Sequence, residues 1–166
     1  TTSNCGSDPP GPVAFDDADG DGSYDSGETT YTKRDLETGF DDPSVDLLIP
    51  SDVGVLEPKR TIRANSITLR TEIRARVSAV SLVADGDVDI AGQQISTRVK
   101  SISITAGQSG AGDLVASDAV LDANKPISLA ASGDISLDGA SLTAEGSGGL
   151  SADLGAADAT LDVTGA

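Results

Sequence analysis

Three stretches of the chain superimpose without a gap on one pattern: Gly-Asp-aliphatic, then a second aliphatic residue nine positions after the glycine. They run from Gly86-Asp87-Val88 to Ile95, from Gly112-Asp113-Leu114 to Leu121, and from Gly133-Asp134-Ile135 to Leu142. The match is longest between 80–97 and 127–144, where an aliphatic-Ser-Leu strand precedes the Gly-Asp turn at the same distance. A unit of this size, built of short strands and Gly turns, cannot bury its apolar face alone. Stacking on its neighbours does so, and the repeat therefore constrains the chain to a solenoid.

Alternation at period two marks the strands. Val45, Leu47 and Ile49 alternate up to Pro50, followed by Ile62, Ile67 and Leu69, then Ile73, Ala75 and Val77. The next coils hold Val80/Leu82, Val88/Ile90 and Ile95, then Ile102/Ile104, Leu114/Ala116 and Ala119/Leu121, then Ile127/Leu129, Ile135/Leu137 and Leu142. A less regular last coil holds Leu150/Ala152, Leu154 and Leu161/Val163. Three short strands per coil predict an all-β chain, a three-faced parallel β-helix of about five coils over 44–166, with a small calcium-binding segment over 1–43 as its N-terminal cap. Each coil lies about 4.8 Å above the last, so inward aliphatics stack in ladders. Parallel crossovers are overwhelmingly right-handed. The runs 107–110 and 146–149 read as small corner insertions.

The core material agrees with narrow layers. Phe15, Tyr24, Tyr31 and Phe40 are the only aromatics, and all precede the repeats. Histidine, tryptophan and methionine are absent. Without imidazole there is no Ser-His pairing and no His metal ligand, which excludes most hydrolytic and zinc chemistry and predicts a non-enzyme.

The strongest local motif lies near the N-terminus. In a twelve-residue calcium loop, positions 1, 3, 5, 9 and 12 correspond to Asp17, Asp19, Asp21, Asp25 and Glu28. Gly22 falls at position 6, where the chain must turn sharply, and Ser23 at position 7 offers its backbone carbonyl. A hard divalent cation takes six to eight oxygens, and carboxylates this close repel one another without one, so Ca2+ is the expected ion. The flanks are not helical. Val13 and Phe15 before the loop, and Thr29 to Thr32 after it, read as strands, and Lys33 to Glu37 as one helical turn before Gly39.

The formal net charge is −16. Nucleic acid and anionic membranes are therefore poor partners, and no apolar run is long enough to span a bilayer. The acidity suits either a protein solvated in high salt or a secreted calcium-dependent one. Bases concentrate in one belt, Lys59, Arg60, Arg63, Arg70, Arg74 and Arg76, which reads as a solvated strand face or as a docking surface for an acidic region of a neighbouring subunit. Asp87, Asp113 and Asp134 should stack at one corner, either as strand-capping turn residues or as a cation ladder. Cys5 has no partner for a disulfide within the chain. It is either incidental or half of an intermolecular bridge. A first residue of Thr rather than Met suggests a processed, secreted protein.

Two resemblances follow from these residues. The run from Val13 through Tyr31 resembles the strand–calcium loop–strand of repeat modules in bacterial and archaeal surface proteins, which implies an extracellular, structural calcium site. Gly133 to Ala144 and Gly86 to Gly92 resemble the coils of filamentous-haemagglutinin-type adhesins and other secreted β-helix fibres. That implies an elongated structural or binding protein of the cell surface, and it carries over no catalytic residue. The strand-like end at Ala159 to Ala166 bears no evident cap, so either the chain is truncated or a second molecule supplies the cover, stacking head-to-tail into a filament. A filament subunit, with itself as partner, is the first expectation. An adhesin or carbohydrate-binding β-helix module, with surface glycans as partner, is the second. A polysaccharide lyase using Arg74 or Arg76 is the third.

Overall fold

The computed structural model describes residues 12–145, 149–154 and 161–162, and Cys5 lies outside them. It is a nearly all-β solenoid of about five turns. The chain opens with β1 (Ala14–Asp16), β2 (Thr30–Tyr31) and a short helix α1 (Lys33–Thr38). Strand β3 (Phe40–Ile49) makes two sides of the first turn, with Leu56 on the third, and β4 (Ile62–Leu69) and β5 (Ile73–Ala75) make the second turn. Each later turn has three strands. These are β6 (Val80–Ala84), β7 (Val88–Asp89) and β8 (Gln94–Thr97); β9 (Ile102–Ala106), β10 (Leu114–Val115) and β11 (Val120–Ala123); and β12 (Ile127–Ala131), β13 (Ile135–Ser136) and β14 (Ser141–Ala144). Strands β15 (Leu150–Leu154) and β16 (Leu161–Asp162) continue the stack.

Among the described residues turn-to-turn pairing is parallel, as the periodicity predicts, and it keeps register apart from a shift in β3 between Asp42 and Asp46. One ladder runs Ile62, Leu82, Ile104, Leu129, Ala152 on the first face. A second runs Leu47, Ile67, Val88, Leu114, Ile135 on the second face, and a third runs Leu56, Ile73, Ile95, Leu121, Leu142 on the third. Branched aliphatics suit this geometry because each packs on a like side chain one turn away. The first and second faces join into a single sheet because β3 and β4 run round their shared corner unbroken, while the third face is a separate four-stranded sheet.

Three inward assignments fail. Val77 is 72% exposed, because β5 ends at Ala75 and the chain is already turning the corner there. Leu150 and Ala152, placed in the last coil's core, are exposed, Leu150 at 54%. Val163, Gly146 and the end at 163–166 lie outside the described residues. The insertion expected at 107–110 is present, since seven residues separate β9 from β10 where three separate β12 from β13. Ser132 ties it down: its hydroxyl donates to the Gly110 carbonyl and accepts from the Gly112 amide.

The N-terminal segment lies on the open edge of the first turn. Strand β1 pairs antiparallel with β3, Phe15 opposite Leu48 and Asp16 opposite Leu47, and β2 pairs with the outer side of β1. Helix α1 buries Leu36, and its Glu37 accepts from the Lys59 amide through its carbonyl and from the Glu57 amide through its side chain. The aromatics meet here as edge-to-face pairs, Phe15 with Tyr24 and Tyr31 with Phe40. A two-residue outer strand leaves little free edge for another chain to pair with.

Candidate metal centre

The acidic loop is the β1–β2 connection. Its first carboxylate is positioned by the solenoid itself, because the Asp17 amide donates to the Asp46 carbonyl at 2.8 Å and the Asp46 amide donates to Asp16 Oδ1 at 2.9 Å. From there the chain winds round its own carboxylates. The Gly22 amide donates to Asp17 Oδ2 at 3.1 Å, the Asp21 amide to Asp19 Oδ1 at 3.2 Å and the Ser23 amide to Asp21 Oδ1 at 2.7 Å. Gly20 and Gly22 have φ of +73° and +79°, the left-handed region that this tight winding demands.

Asp17, Asp19 and Asp21 each contribute one oxygen to a group lying within 4.8 Å. Two unit charges 4 Å apart repel by about 1 kcal/mol even in bulk water. Asp17 Oδ1 is also sealed from solvent with no donor against it. A buried carboxylate oxygen without a partner is costly, and a hard cation is a partner it can take. The donor set, three carboxylates aimed inward from alternate residues, fits such an ion.

The structure brings these three predicted ligands together and leaves the carboxylates of Asp25 and Glu28 outside the group. Glu28 Oε2 accepts the Asp25 amide at 2.8 Å, and the Glu28 amide returns to the Asp25 carbonyl at 3.1 Å, which closes the loop as a turn. Ser23 contributes its amide to Asp21. Asp46, which orders the approach to Asp17, had no signal in the linear sequence. It is thirty residues from its partner Asp16 and meets it only through antiparallel pairing.

Beyond the loop, the acids continue down the corner between the first and second faces. Asp46 lies beside Ser66, whose hydroxyl donates to Asp46 Oδ1 at 2.8 Å, and Ser66 is followed one turn on by Asp87, then Asp113, then Asp134. The Asp113 amide donates to Asp87 Oδ1 and the Asp134 amide to Asp113 Oδ1, each at 2.8 Å. Each carboxylate thus caps the next turn, which is the turn-capping alternative of the two expected for this column. A polar groove of about 470 Å³ lies between loop and corner, lined in part by Asp17, Asp19, Asp46, Asn65, Ser66 and Asp87.

Charges near the cap are pinned locally. Burial, then the Asp16 and Asp42 carboxylates, push the Tyr31 hydroxyl above its ordinary range. The Ser44 hydroxyl and amide hold Asp42 below the usual carboxylate range. In the basic belt, Arg63 reaches Asp85 at 3.3 Å, Arg70 reaches Asp89 at 2.7 Å, and Arg74 reaches Glu72 at 2.6 Å.

No family model matches the chain, and neither a curated protein nor a solved structure matches it. The likeness to filamentous-haemagglutinin-type coils and to surface-protein calcium loops therefore rests on the residues quoted for it. Among the described residues no helix is long and apolar enough to cross a membrane.

Proposed function

We propose that the chain is a non-catalytic structural module of an extracellular fibre or cell surface, a rigid β-solenoid whose N-terminal cap is tied down by Ca2+. One observation carries this reading. Asp17, the residue next after β1, is hydrogen-bonded to the first turn through its amide and is also the first carboxylate of the acidic group. Holding a cation there holds the cap on the solenoid. In this reading the carboxylates of Asp25 and Glu28 and the carbonyl of Ser23 complete the oxygen shell. Extracellular sites of this kind bind in the range of roughly 10⁻⁴ to 10⁻³ M.

Head-to-tail growth by strand stacking meets a filled seat at this end, because β1 already pairs with the outer edge of β3. A fibre of such modules is therefore better served by other surfaces than by coil-on-coil addition at the cap. The adhesin reading is favoured by the polar groove beside the acidic loop, where a cation and the side chains of Asn65 and Asp87 would face a glycan's hydroxyls. Nothing comparable favours a lyase, since the Arg74 fork is directed at Glu72 through Nε and Nη2.

Thermal melts with 10 mM CaCl2 or with chelator test the proposal. Calcium at ten to a hundred times its Kd should stabilise wild type by about 1.4 to 2.7 kcal/mol, and the Asp19→Asn/Asp21→Asn variant by much less. A wild-type melting temperature indifferent to calcium overturns it. Chelator-sensitive binding of the monomer to a glycan array would instead select the adhesin reading.

A further inference from the structure

We propose that the corner between the third and first faces docks side by side against the acidic corner of a second copy of this chain. The proposal deepens the fibre reading and rests on it, but it does not depend on calcium. In the register Leu56–Ile73–Ile95 and Ala75–Thr97–Ala123, the residues that leave the third face form one column, Lys59, Arg76, Arg98 and Asn124. Arg60, Lys100 and Lys125 stand beside it. All six cations are exposed, and the corner segments 59–61, 76–79, 98–101 and 124–126 contain no acid.

The cations on the faces behave differently. Arg63, Arg70 and Arg74 each hold a carboxylate, whereas none of the six at the corner makes an ion pair among the described residues. On a chain of net charge −16, an unpaired basic column is the exception that needs a partner. Like charges stacked about one turn apart repel, and an anion placed between them relieves that penalty. A shallow groove of about 450 Å³ opens along the column, lined in part by Arg74, Arg76 and Arg98, with Asp122 its one carboxylate.

Two features select a second copy over a free anionic polymer. The first is pitch. Asp87, Asp113 and Asp134 are exposed, one per turn, on a different corner of the same solenoid. Both columns advance about 4.8 Å per turn, so opposite charges on two parallel copies stay in step over several rungs. The second is apolar surface. Val77 and Val99 are 72% and 44% exposed within the basic corner, and Val115, 37% exposed, stands two residues from Asp113 on the same outward side. Valines have no use for a hydrated sugar chain but can bury one another. Because the basic edge meets the acidic edge, a docked pair leaves one acidic and one basic edge unused between its two members, and further copies can add laterally.

Sedimentation velocity over a concentration series at 0.15 M NaCl tests this. Wild type should associate, and raising NaCl to 1 M, where the screening length falls to about 3 Å, should weaken the association. Arg76→Glu/Arg98→Glu changes exposed side chains that make no hydrogen bond or ion pair among the described residues, so it should fold normally and associate at least tenfold more weakly. Asp87→Asn/Asp113→Asn keeps the amide-accepting oxygens while removing the charges, and it should weaken association comparably. Chelator should leave the association of wild type unchanged, separating this contact from the calcium cap. A wild type that stays monomeric overturns the proposal. So does association that survives the Arg substitutions, or that is lost with them but untouched by the Asn pair. Tight binding of monomer to polygalacturonate through Arg76 and Arg98 would overturn it in favour of a glycan occupant.

Discussion

At Gly112 and Gly133 the glycine is demanded by space, since neither has a positive φ. A Cβ on Gly112 would collide with the Gly86 carbonyl of the turn before, and one on Gly133 would collide with Asp113 Oδ1. The Gly-Asp pair is thus one device. The Asp carboxylate reaches across to the next turn's amide, and the next turn must lack a side chain where that carboxylate passes. Gly112→Ala should therefore destabilise by about 1–3 kcal/mol, read as a lower urea midpoint with unchanged slope, because backbone on both sides cannot yield. At the following corner the same logic runs through φ. Gly92 and Gly139 have φ of +69° and +67°, and between them Asp118 adopts +57°, a conformation that Asp tolerates better than most residues.

The pairing of Asp89 sets a pH dependence. Burial raises its pKa, but the Arg70 guanidinium and the Ala91 amide outweigh this, so the net shift is downward. A depressed folded-state pKa means that the stabilisation is present above the unfolded value of about 3.9 and is lost as pH falls through the folded one. Asp89→Asn should be less stable than wild type at pH 6 by about 1 kcal/mol or less, given the partial exposure of both partners. The difference should shrink progressively as pH falls below the unfolded value of about 3.9 in thermal melts.

At the scale of elements, the cap behaves as a unit. Helix α1 is too short to persist alone, and it is held by a capping box in which Asp35 and Thr32 serve each other's backbone. Hydrogen bonds from Thr32 keep the Asp35 carboxyl below its ordinary range. Strand β1 is three residues long, and its anchor is Phe15, buried against Tyr24 and opposite Leu48. Phe15→Ala should cost about 3 kcal/mol, the low end for a buried ring, and should also weaken calcium binding by releasing Asp17. Paired chemical denaturation and calcium titration check this; a stability loss with unchanged calcium affinity would mean that loop and cap are not coupled.

At the scale of the whole molecule, each turn contacts its neighbours through three ladders and little else, so stability is approximately a sum of turn and interface terms. Such a stack is exposed at its ends. At the N-terminal end the antiparallel β1–β2 pair and α1 supply what a further turn would have supplied, using the chain's only aromatics. The charges sort by corner for a related reason. The pleat sends inward positions to the core, so ionisable residues collect where the chain turns, and in-register stacking converts each turn's corner residue into a column.

The period of the Gly-Asp-aliphatic pattern and the alternation of Ile, Leu and Val were enough, by themselves, to determine the solenoid, its three faces and its ladders. The reason is that a repeat admits only one way to bury every inward side chain at once. The convergence of Asp17, Asp19 and Asp21 was equally legible, because carboxylates on alternate residues of a tight loop meet locally. Val77 was misjudged since alternation does not say where a strand ends. Only the tertiary structure decided that Asp46 orders the acidic loop, that β1 occupies the edge of the first turn, and that Lys59, Arg76 and Arg98 share a corner while Arg63, Arg70 and Arg74 are paired. Each of these depends on which residues meet across turns some twenty positions apart, and that registry is set by stacking, not by neighbours along the chain.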